Sequence, residues 1–190
     1  MSIKKDIFTQ IGTYLMDTLK DFPSDLNLPD LAWFDKQMDQ FANPELALAI
    51  PLPCILMEYR QFEWQTVGKN QQRGTGSIRF YVHFENYADT FTGTVNQQLA
   101  TRFFDFTEQV NLALQGFTLP NMTPLTRTSD NTDTSGNMIM TAVTDYGTII
   151  TDYTTDEESK YVLVEPDITV TRLDKTTRPV PVGYIDGYQV

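Results

Sequence analysis

From Thr94 to Gln115 the chain carries Val95, Leu99, Phe103, Phe106, Val110 and Leu114 at steps of three and four, with Gly116 where a C-terminal cap would stand. Spacing of that kind lines up on one side of an α-helix and on no other regular structure, and glycine is the usual residue just past a helix end. The helix would be about 33 Å long. A stripe so rich in phenylalanine needs a wide apolar partner, which a sheet supplies, so the stripe reads as a packing layer rather than a cofactor box.

The clearest strand runs from Ser77 to Phe84, where Ile78, Phe80, Val82 and Phe84 alternate with Arg79, Tyr81 and His83. Period two puts the first set on a core and the second on the other face, which makes His83 a surface or interface histidine. Cys54 to Tyr59 is a short apolar run flanked by Pro51 and Pro53, and suits a buried strand. Between the two lies a polar, glycine-rich stretch from Gln61 to Gly76, consistent with a long hairpin whose tip projects from the domain. Trp64 is then either an anchor for that hairpin or a contact for a neighbour.

Residues 3 to 20 place Ile3, Ile7, Ile11, Tyr14, Leu15 and Leu19 at helical spacing, with Ser2 available as a cap. After the break Asp21 to Asp25, the spacing of Phe34, Met38 and Phe41 predicts a short helix over 30–41. Thr118 to Gly136 is rich in Thr, Asn, Asp, Pro and Ser and reads as a long loop of the kind tied to assembly. Met138 to Thr151 is β-rich, with Gly147 as a bulge candidate, and Lys160 to Leu173 is β-rich with Pro166 as an edge marker. The acidic turn Asp152 to Glu158 joins them. The expected fold is α+β, with a largely antiparallel sheet of four or more strands packed by an N-terminal helix and one long central helix. A projecting hairpin, a long loop and an extended C-terminal tail complete it. Residues 1–173 form the single domain, and 174–190 a tail that docks on a neighbour or on its own domain, since Val180, Val182, Tyr184, Ile185, Tyr188 and Val190 are too apolar for solvent.

At 190 residues, with 41% hydrophobic and 21% charged residues, the chain has the means to bury a sizeable core. The formal charge of -11, from 25 acidic and 14 basic side chains, argues against a phosphate-binding surface, so sequence-specific nucleic acid is not an expected partner. Acidic walls around a passage would let DNA slide without sticking. There is no uninterrupted apolar stretch of membrane-spanning length and no signal-peptide pattern, so neither a membrane nor secretion by that route is expected.

Chemistry finds little to build on. One cysteine and one histidine make neither a disulfide nor a zinc site, and Cys54, flanked by apolar residues, reads as buried and structural. The loop Asp130 to Gly136 lacks the carboxylate spacing and closing Glu of a calcium loop. Gly68 to Gly76 lacks the Gly-Lys-Ser/Thr ending of a phosphate loop. Carboxylate pairs such as Asp145 with Asp152, or Glu157 with Glu158, occur in any acidic protein. No cofactor, metal or catalytic residue is expected.

The strand Ile78 to His83 and the segment Phe84 to Gly93 leading into the long helix resemble small tail-completion or tail-terminator-like, head-tail joining proteins of Bacteroidetes phages and prophages. The similarity extends over residues 1 to 155: an N-terminal helix, a proline-marked turn into the strand Pro53 to Tyr59, and a hairpin with Gln72-Arg73-Gly74. It closes with the loop Asp133 to Asn137, followed by a strand ending at Thr151-Asp152-Tyr153. The resemblance implies a virion protein, assembled in the host bacterial cytoplasm, that forms a homo-oligomeric ring at the neck or tail end. Portal, connector or tail proteins would be its neighbours, with DNA passing through and no enzymatic role.

Ring subunits associate head to tail, and projecting hairpins, loops and apolar termini are means of reaching a neighbour. The interface candidates are Trp64, Gln72 and Arg73 in the hairpin, Asp130 and Asp133 in the loop, and Tyr184, Ile185 and Tyr188 in the tail. The alternative is a monomeric or dimeric bacterial binding module with Trp64, Tyr81 and Tyr87 as a ligand surface; a hydrolase without familiar motifs ranks third.

Overall fold

The computed structural model describes residues 2–24, 26–42, 49–68, 71–85, 97–133 and 139–153. It is an α+β arrangement. Among the described residues two helices, α1 (Ile3–Thr18) and α2 (Gln97–Leu114), pack on a five-stranded sheet built from β1 (Trp33–Lys36), β2 (Cys54–Gly68), β3 (Gln71–Glu85), β4 (Thr126–Asp133) and β5 (Ile139–Asp152). The strand order is β1-β2-β3-β5-β4, and every pairing is antiparallel except β1 with β2.

The alternation in β3 is borne out: Ile78, Phe80, Val82 and Phe84 are buried and meet Phe103, Phe106, Val110 and Leu114 of α2 in one core with Ile7, Ile11 and Leu15 of α1. The helix stripes thus cover the sheet as their periods require. Phe84 packs against Phe103 and Phe106 at centroid distances of 6.2 and 5.5 Å, and Gly116 ends the α2 region at φ 81, where a side chain would be strained. Tyr14 joins the helices, its hydroxyl donating to the Ala113 carbonyl (3.0 Å) and its ring stacking on Phe117.

Five expectations are corrected. The segment 30–41 is not a helix: Trp33–Lys36 is a strand, followed by a 3₁₀ turn over Gln40–Ala42. Its sparse apolar spacing fits a helix, but four residues lying in parallel register with Cys54–Met57 are held by the ladder instead. The long loop over 118–136 is half right. Thr126–Asp133 is an edge strand on β5, and the preceding residues are laced to neighbouring backbone, as in Thr123 N–H to Ile149 O and Thr151 N–H to Asn121 O, both 2.9 Å. The bulge falls not at Gly147 but opposite it in β4, where Thr128 is the extra residue between the pairs Arg127–Tyr146 and Ser129–Asp145. Ser2 occupies the N-cap position of α1 without a side-chain capping bond. His83 is buried, 4% exposed, because Phe41 stacks on its ring at 3.9 Å and Thr141 Oγ1 lies 2.9 Å from its Nδ1.

The expected strand over 160–173 and the tail 174–190 lie outside the described residues.

Candidate assembly surfaces

The two arms of the β2–β3 hairpin differ in burial: β3 stays paired with β5 out to Gln72, with Gly74 buried beside the core residue Ile150, while the outer part of β2 is open. Cys54 to Met57 are buried, whereas from Arg60 to Gly68 no residue is. A bulge in β2 between the pairs Tyr59–Ile78 and Phe62–Gly76 inserts one residue into β2. The extra residue keeps Phe62 and Trp64 on the core-side face with Tyr59, where a regular strand would have turned Gln61 and Glu63 that way. The three aromatics form a ladder with centroids 6.1 and 6.3 Å apart. Phe62 and Trp64 lie over Gly76 and Gly74, whose missing β-carbons leave room for the rings. Lys4 Nζ caps the base of the ladder, 5.4 Å from the Tyr59 ring centre and 5.7 Å from that of Phe62. Trp64 is therefore both a packing anchor and half-exposed.

On the opposite face a polar row crosses four strands. Glu58, Arg79, Asp145 and Ser129 are successive register partners on β2, β3, β5 and β4. The Arg79 guanidinium donates twice to Asp145, from Nε at 2.7 Å and Nη2 at 2.8 Å, and Ser129 Oγ donates to the same carboxylate at 2.8 Å. These bonds, Arg79 first, hold the Asp145 carboxyl below its ordinary range, and the Asp145 bond raises Arg79 in turn. Tyr81 donates to Glu58 Oε2 at 2.8 Å; burial and then Glu58 push its phenol up. Every group in the row has a partner, so the row clamps strands together rather than offering a reactive centre.

The sheet edges differ in character. At the β4 edge, Thr126 to Asn131 are all exposed and polar, and Asp130 pairs with Arg127 at 3.6 Å. At the β1 edge, a groove of about 490 Å³ runs between α1 and β1, lined by Phe8, Gly12, Met16, Trp33 and Phe34 among others. Gly12 is essential to its floor: the Phe34 ring lies 2.6 Å from where a β-carbon would stand. Trp33 is 43% exposed there. On α2, Phe104 and Leu112 are 55% and 63% exposed.

The sequence-derived candidates fall in two places. Gln72 and Arg73 sit at the far end of the hairpin, in register with Asp152 and Thr151, and Trp64 pairs with Gly74 beside them. Asp130 and Asp133 are in register with Thr144 and Thr141, toward the other end of β5, which puts Asp130 about 23 Å along the strand from Arg73. Tyr184, Ile185 and Tyr188 lie outside the described residues. Phe104, Leu112, Met16 and Trp33 were not among the candidates, although Phe104 and Leu112 are out of phase with the buried stripe of α2, a signal present in the sequence. Trp64 and Tyr81 are on opposite faces of the sheet, so they do not share a ligand surface, and Tyr87 lies outside the described residues.

Among the described residues no group of three His, Cys, Asp or Glu side chains is placed to hold a metal ion, and no helix is long and apolar enough to cross a membrane. Burial pushes the Cys54 thiol up to about 12, far from a reactive thiolate. No family model matches the chain, and no curated protein matches it. Among solved structures it is similar to a chain described as belonging to the virion of a native gene transfer agent particle, at 10% identity over 80% of this chain and 100% of that one; the TM-score, 0.41, does not establish a shared fold.

Proposed function

We propose that the chain is a structural protein of a bacteriophage virion, a ring-forming subunit of the head-tail connector or tail end, similar in role to a tail terminator. It acts through protein contacts alone, without enzymatic activity or cofactor, and it assembles in the host cytoplasm against portal, connector or tail proteins. The observation that carries this reading is the outer β2 arm of the β2–β3 hairpin, Arg60 to Gly68, which has no buried residue and yet is stiffened by a bulge and an aromatic ladder. A stiff strand arm left open to solvent is suited to meet a neighbouring subunit. The sequence resemblance to tail-completion proteins points the same way, and a charge of -11 suits a ring that DNA passes through without being held.

The test is genetic. Disrupting the coding sequence in a phage that carries it is expected to leave filled heads and tails unjoined, or tails without a defined end, with infectivity restored by the chain supplied in trans. Intact, infectious particles lacking the protein would overturn the proposal.

A further inference from the structure

The groove between α1 and β1 and the exposed ridge on α2 lie on opposite flanks of the helical layer. On α1, Tyr14 turns toward α2 while Phe8 and Gly12 turn toward β1. On α2, the Ala113 carbonyl accepts the Tyr14 bond, and Phe104, nine positions earlier, is half a turn around the helix from it. Phe104 therefore faces away from α1, and the ridge Phe104–Glu108–Leu112 turns from there toward β4, Leu112 lying about 100° around the helix from Ala113 and bordering a small cleft with Glu108 and Arg127. One flank is concave and apolar; the other is convex and apolar.

We infer that the α2 ridge of one copy seats in the α1–β1 groove of the next, forming the head-to-tail contact of the ring; this rests on the ring reading above. The dimensions agree. Phe104 and Leu112 are eight residues apart on one helix face, about 12 Å, and Phe8 and Met16, which bound the groove along α1, have the same spacing. Two large hydrophobic side chains exposed by more than half their surface on one helix are costly to leave in water, and so is Trp33 across the molecule. The charges agree at one end of the groove: exposed Asp105 and Glu108 accompany the ridge, and exposed Lys5 stands one turn before Thr9 on the groove wall, whereas at the other end Asp17 lines the groove and is paired with Lys20 at 2.9 Å. Because ridge and groove are different surfaces, the contact repeats from copy to copy instead of stopping at a two-fold dimer, and a ring forms where the rotation between copies closes on itself.

Two variants at exposed positions test this, Phe104→Glu/Leu112→Glu on the ridge and Thr13→Glu/Met16→Glu on the groove wall, with thermal melts showing that each is folded; if either double variant fails to fold, Leu112→Glu and Met16→Glu replace them singly. Mass is read by light scattering. The full chain is expected to form a multimer and each variant to fall to the 21.7 kDa monomer. An equimolar mixture of the two is expected to give a heterodimer that grows no further, since it holds one intact ridge and one intact groove. A multimer that survives in either variant overturns this interface and leaves the ring reading standing. Monomeric variants that do not pair on mixing overturn the pairing of ridge with groove. A full chain monomeric at every concentration overturns both.

Discussion

Trp64 lies across Gly74, its register partner in β3, with three ring atoms 2.9 to 3.0 Å from the position a β-carbon would take. Gly76 is tighter. There a β-carbon would meet the Gln61 carbonyl at 2.5 Å as well as the Phe62 ring at 2.7 Å. A half-exposed tryptophan can swing aside, whereas a bulged backbone cannot do so without breaking the ladder. Gly76→Ala is therefore expected to cost about 2–3 kcal/mol and Gly74→Ala about 1 kcal/mol or less. Urea unfolding of the two variants checks the order, and equal costs would show that the bulge yields.

The Arg79–Asp145 clamp gives the protein an acid-sensitive seam. Asp145 is held below its ordinary range when folded, so it binds a proton more readily in the unfolded chain. Its contribution is present above the unfolded carboxylate value, near 4, and is lost as pH falls through the lower folded value. Asp145→Asn is expected to cost about 1–2 kcal/mol at pH 7, between an exposed and a buried pair, and the deficit should shrink below about pH 4. Denaturation at pH 7 and pH 3 measures it; a cost that does not change with pH would contradict the assignment.

How much of this was legible in the sequence differs by element. The stripes of α1 and α2 and the alternation of β3 were, because amphipathic periods report directly on one-sided burial. β4 was not, since Thr126-Arg127-Thr128-Ser129-Asp130-Asn131-Thr132-Asp133 contains no apolar residue and owes its strand form to backbone pairing with β5. β1 was not, since a four-residue strand is made by its partner rather than its pattern. His83 alternates correctly onto the second sheet face, but Phe41 from a distant turn covers it there, and no local pattern announces such a cover. Of the candidate site, the hairpin was legible from its glycines and polar run. The α2 ridge was hidden by the stronger stripe beside it.

The Tyr146 side chain is buried, its hydroxyl donating to Asn111 Oδ1 of α2 at 2.6 Å. Tyr146→Phe removes the donor and strands a buried acceptor, with an expected cost of about 1–2 kcal/mol. In a double-mutant cycle with Asn111→Ala, the two changes together are expected to cost clearly less than their sum, and strict additivity would contradict a direct bond.

Cys54 is fully buried, and its thiol is pushed up to about 12 by burial. A thiol reagent at pH 8 is expected to label the folded protein only at its rate of opening, and to react at once in denaturant. Rapid labelling under native conditions would contradict the packing at the start of β2.

Closed rings are the central claim, and the mass of the purified chain across a concentration series, read by light scattering with negative-stain images of the same samples, tests it most directly. The prediction is one discrete species at a whole multiple of 21.7 kDa, annular in projection, giving way to monomer only on dilution. A mass of 21.7 kDa at every concentration, or an open series of growing lengths, would contradict it.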